Sequence, residues 1–108
     1  MSKFDTYLDD VLRDARILLN GTFKKGKKEA QAILESHVEN SKERLQRWTK
    51  LLASGEITEF EFKLLLNNQI TLGRMRLRTV KVIGKKAALE FRDNLRVLFI
   101  DKAFEIFL

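Results

Sequence analysis

The sequence predicts an all-α fold, and three observations carry that prediction. Its 108 residues include no proline and only five glycines, too few turn formers for a many-turned sandwich or barrel. Apolar residues recur at three-and-four spacing through three long tracts, the period of a buried helical face. Gly21, Gly26 and Gly55 fall between those tracts, where helices stop. The expected architecture is a single α-helical domain over 1–108 with helices at about 2–20, 27–53 and 58–107. It is a helical hairpin with an added N-terminal helix, and its long, coiled-coil-like third helix forms an oligomeric bundle.

In the first tract Phe4, Tyr7, Leu8, Val11, Leu12, Ala15, Leu18 and Leu19 line one face. Ser2 suits the N-cap, Asp5 suits the positive end of the helix dipole, and Asn20-Gly21 supplies a stop. A basic linker follows, with Lys24, Lys25, Lys27 and Lys28 around Gly26. The second tract is the most regular. Ala30, Leu34, Val38, Ser41, Leu45, Trp48 and Leu52 step by three and four, close to a heptad seam. Gly55 ends it, and Thr58 with Glu61 three residues on forms a capping box.

The hinge residues Gly55, Ile57, Thr58, Glu61 and Phe62 resemble the helical hairpin of short C-terminal oligomerisation domains. The likeness covers this hinge alone. Leu65 and Leu66 stand where that family carries a downstream lysine, so the likeness reads as convergent: any glycine-stopped, threonine-capped hairpin selects such residues.

In the third tract the apolar face runs Leu66, Ile70, Gly73, Leu77, Val80, Gly84, Ala87, Phe91, Leu95, Leu98. A short strand through 74–78, where charged and apolar residues alternate, competes with helix. The alternation fails at 79–83, and helix is preferred, with room for a kink at Gly73 or Gly84. An unbroken helix over this tract would be roughly 75 Å long, against a radius of gyration near ~13 Å for a compact chain of this size. The tract must therefore fold back at a glycine or project to meet another copy. The second option predicts a homo-oligomer, a dimer above all, with Leu77, Val80, Gly84, Ala87, Phe91, Leu95 and Leu98 at the interface. The apolar end, with Phe99, Ile100, Phe104, Ile106, Phe107 and Leu108, demands burial either way.

Charged residues make up 33% and hydrophobic ones 44%, which excludes a disordered tail. There is no cysteine, hence no disulfide, thiolate metal site or cysteine nucleophile. No apolar run is long enough to span a bilayer. The residues after Met1 lack a signal-peptide layout, so the expected location is the cytoplasm.

His37 is the single histidine. Leu34 stands three residues before it, so the Glu-x-x-His motif of di-iron bundles is absent. Asp10/Asp14 and Glu35/Glu39 read as solvated faces, and no glycine-rich phosphate loop occurs. The expectation is a non-enzyme with no cofactor, acting as a self-associating interaction or scaffold protein.

The net charge is +6, and residues 71–86 hold six cations and no acid. On a continuous helix Arg74, Arg78, Lys81 and Lys85 would share a face, continued by Arg92 and Arg96. These are the candidate anion-binding residues. Three anions suit them: the acidic side of the first helix (Asp5, Asp9, Asp10, Asp14), a nucleic-acid backbone or other acidic partner, and an anionic membrane surface. The first reading leaves a scaffold protein, and the second is the alternative function.

Overall fold

The computed structural model describes residues 2–108, and of Arg78 only the backbone. The described residues form helices joined by turns, with no strand, and the helices are α1 at Lys3–Thr22, α2 at Lys27–Ser54, α3 at Glu59–Gln69, α4 at Leu72–Met75 and α5 at Lys85–Phe107. A 3-10 turn at Leu77–Thr79 lies between the last two.

Local chemistry explains most of the boundaries. The Ser2 hydroxyl accepts from the Asp5 amide at 3.1 Å and opens α1. Asn20-Gly21 does not stop it, contrary to expectation. The helix continues to Thr22, whose hydroxyl donates to the Leu18 carbonyl, because the extra residues carry Phe23 inward to meet the Phe91 ring at 5.1 Å. The reversal falls instead on Gly26, left-handed at φ 72°. Gly55, at φ 77°, closes α2 by donating to the Leu51 and Leu52 carbonyls. The Thr58–Glu61 capping box forms with both hydrogen bonds present.

Four helices then pack in up-down-up-down order, with α1 against α2 and α5, and α3 against α2 and α5. α5 runs antiparallel to α1. Phe91, near its start, meets Phe23 beyond the end of α1, while Phe107, near its end, meets Tyr7 in the second turn. Phe62 in the first turn of α3 likewise meets Phe104. These contacts bury Phe99 and Ile100 and half-bury Phe104, Ile106 and Phe107, while Leu108 stays 63% exposed. The radius of gyration is 13.7 Å and the long axis 42 Å, the length of α2 at about 1.5 Å per residue.

The expected third helix over 58–107 is corrected by this arrangement, and with it the count of three. It breaks at Ile70 and resumes at Lys85. Thr71 caps a new short helix by accepting from the Arg74 amide. Arg76 then turns left-handed at φ 61°, and the β-branched run Thr79, Val80, Val82, Ile83 disfavours helix. The alternation at 74–77 survives as a turn, with Met75 and Leu77 buried and Arg74 and Arg76 exposed.

Part of the seam assigned to an oligomer is buried by the chain's own helices. Leu77, Phe91 and Leu95 are buried in the core, Leu95 completely; Val80, Ala87 and Leu98 are half-buried, and Gly84 is exposed. Folding back at 70–84 supplies these side chains with intramolecular partners.

Candidate functional site: a lysine-bearing end and its groove

The up-down order places the α1–α2 loop and the whole 70–84 segment at one end of the bundle. Gly26 is where they touch. A Cβ at this position would stand 2.8 Å from Val82 and 3.2 Å from Val80, so only glycine allows the approach as well as the left-handed turn. A small cleft confirms the juxtaposition, with Lys24 and Lys25 on one wall and Val82, Ile83 and Gly84 on the other. Residues 15–28 and 62–89 contain no acid at all, so this end gathers cations from two distant parts of the chain.

Two helices start here. α2 is capped by Gly26 and α5 by Gly84, neither with a side-chain hydrogen bond. Their first two residues are Lys27-Lys28 and Lys85-Lys86. Helix N-termini carry unsatisfied N–H groups and positive partial charge, and prefer acidic neighbours. Paired lysines stand there instead, followed in α2 by Glu29 and in the first turn of α5 by no acid, and they concentrate positive potential, an arrangement suited to anions. Sequence reasoning overlooked this, although the signal was present: Gly-Lys-Lys-x-Ala occurs at both 26–30 and 84–88.

The candidate anion-binding residues do not form one helical stripe. Lys81, Lys85, Arg92 and Arg96 come together around a groove of about 810 Å³ between the 70–84 segment and α5. Arg92 is engaged with Asp93 at 2.8 Å. The Arg96 guanidinium donates to the Asn67 and Ile70 carbonyls, both at 2.8 Å, and so caps the end of α3. Its role is structural. Arg74 lies apart from the groove, and the side chain of Arg78 lies outside the described residues.

Neutralisation by the first helix does not occur among the described residues. Asp10 pairs with Arg13, Asp14 with Arg13 and Lys102, and Glu35 across the α1–α2 interface with Arg16. The Arg16 hydrogen bond, helped by Gln31, holds the Glu35 carboxyl below its usual range. Among the described side chains none of the lysines at 24–28 and 81–86 reaches a carboxylate within 4.0 Å, and neither does Arg74.

Arg74 and Arg76 flank a second cleft of about 400 Å³ with Ser36, His37 and Asn40 of α2. His37 is buried beside the Gln69–Ser41 hydrogen bond of 2.7 Å, and its Nε2 has no partner among the described residues. Burial first, and Arg74 second, hold its pKa below the ordinary histidine value, while the Gln69 backbone opposes them.

No helix is long and apolar enough to cross a membrane among the described residues. Compared with protein-family models, curated proteins and solved structures, the chain matches none of them.

Proposed function

We propose that this chain is a non-catalytic binding protein whose lysine-bearing end grips the phosphate backbone of a nucleic acid. The observation that carries the reading is the meeting of two helix N-termini without a side-chain cap, each opened by Gly-Lys-Lys, across the Gly26–Val82 contact. Lys24, Lys25 and Lys81 widen the same surface. No aromatic ring is exposed there, since Phe23 and Phe91 are buried. The contact is therefore with the backbone, independent of sequence.

Fluorescence anisotropy with a short DNA duplex and a single-stranded RNA tests it. The logarithm of affinity should fall with the logarithm of salt by about 0.9 per phosphate neutralised on duplex DNA. Replacing Lys27 and Lys86 with Glu should weaken binding and reduce that slope by about one for each lysine that contacts a phosphate. Absence of binding at low salt, or an unchanged slope in the variant, overturns the reading.

Self-association is a second reading, supported by a surface other than the expected seam. Phe60 and Leu64 stand one turn apart on α3, 68% and 47% exposed. Two copies pairing there would cover an apolar pair that the chain itself leaves in water. Sedimentation of wild type against F60S/L64S at micromolar concentration decides it, and a monomeric wild type removes it.

A further inference from the structure

The groove that opens beside the lysine-bearing end has a chemistry of its own. Its floor is aliphatic: Leu72, Leu77, Ile83 and Ala88 are buried, with Val80 and Leu89 half-buried beside them. Among the described residues no aromatic side chain and no carboxylate lines it. Its volume of about 810 Å³ falls within the range of small-molecule sites, roughly 300–1,000 Å³.

The cations at its rim divide into two kinds. Arg92 and Arg96 are spent on Asp93 and on the carbonyls of α3. Lys81 and Lys85 are exposed and pair with no carboxylate among the described residues. A planar base would find no ring to stack on in such a groove, whereas a methylene chain would find an aliphatic bed. A bilayer surface needs a convex apolar projection, but this site is concave.

We infer that the groove binds a single-chain amphiphilic anion, a long-chain carboxylate, with its tail on the aliphatic floor and its head between Lys81 and Lys85. The site goes beyond backbone binding, because the floor residues take no part in gripping a polyanion.

Calorimetric titration of the wild-type chain with octanoate, decanoate and dodecanoate, each below its micelle threshold, tests the assignment. ¹⁵N-resolved NMR shifts locate the ligand. One site should saturate, affinity should rise about fourfold per added methylene, and shifts should concentrate in 71–92. Decanol, with the same chain length and no charge, should bind at least about tenfold more weakly than decanoate, as loss of a charge-assisted contact implies. Acetate should not bind.

Gly73 lines the groove, and a Cβ there meets nothing within 4 Å. G73L should therefore lower dodecanoate affinity while leaving duplex DNA binding intact. K81E/K85E should lower both. Binding without dependence on chain length, equal binding of decanol, or an unaffected G73L variant overturns the inference. So does binding of anionic phosphatidylglycerol vesicles without binding of free dodecanoate. Absence of DNA binding alone would leave the groove standing and remove only the nucleic-acid reading.

Discussion

The Tyr7 hydroxyl donates to the backbone carbonyl of Phe99 at 2.9 Å, across 92 positions of sequence. The phenol is fully buried, and burial pushes its pKa far up, so it remains a donor at every ordinary pH. Its ring also packs edge-on against Phe99 and Phe107. Tyr7→Phe keeps the rings and deletes the bond. It should cost about 1 kcal/mol in urea unfolding, and no change would mean that the α1–α5 junction does not depend on the hydroxyl.

Leu95 separates an intramolecular core from an interface. At 0% exposure in the single chain, Leu95→Ala should destabilise by about 2–5 kcal/mol. The loss should not depend on protein concentration, because the chain's own helices already enclose this side chain. A loss that shrinks on dilution would return this residue to a dimer interface.

Two glycines with the same backbone make a controlled pair. Gly26 and Gly55 both have φ above 70°, so alanine costs about 1–2 kcal/mol at either from conformation alone. Only at Gly26 does the added carbon strike a neighbour, adding about 1–3 kcal/mol for overpacking. G26A should therefore be the less stable variant, and equal losses would remove the close approach of the two loops.

Arg96→Met leaves the end of α3 without its cap. Two hydrogen bonds from a charged donor are lost, at a cost of about 2 kcal/mol. Lysine should recover only part of this, since it lacks the planar fork that reaches both carbonyls. Full recovery by R96K would show that charge alone is needed.

His37 makes stability depend on pH. Its folded pKa lies below the unfolded value of about 6.5, so the unfolded chain binds the proton more readily. Stability is then constant above about pH 6.5 and is lost as pH falls from there through the folded pKa, with a slope of at most about 1.4 kcal/mol per pH unit. Arg74 faces the same side chain and adds to the loss once His37 is charged. His37→Gln should flatten the curve below about pH 6.5; parallel curves would assign the slope to other groups.

Much of this fold was legible because its signals are local. Ser2, Gly55 and the Thr58–Glu61 box act within a few residues of themselves, and the seam of α2 needs nothing beyond its own period. The break at 70–84 was not legible from periodicity. Leu72, Met75, Leu77 and Ile83 are buried by a path that loops over the bundle end, yet Ile70, Gly73, Leu77, Val80 and Gly84 keep the three-and-four spacing of a helical face. Thr71 as a cap and the β-branched run were the contrary signals. At the candidate site, the cations were identified but their roles were not. Whether an arginine caps a helix or awaits a ligand depends on which carbonyls the tertiary fold leaves beside it, as Arg96 shows.

The antiparallel pairing of α1 with α5 has a consequence for attachment. Ser2 caps one helix and Leu108 follows the other at the same end of the bundle, opposite the paired lysines. With a long axis of 42 Å, a fluorophore, surface tether or fused domain joined at either terminus would hang about a helix length from whatever the lysines hold. Immobilised through such a link, the molecule would present its cationic end outward, so surface-based binding assays should report the same affinity as free solution whichever terminus carries the anchor.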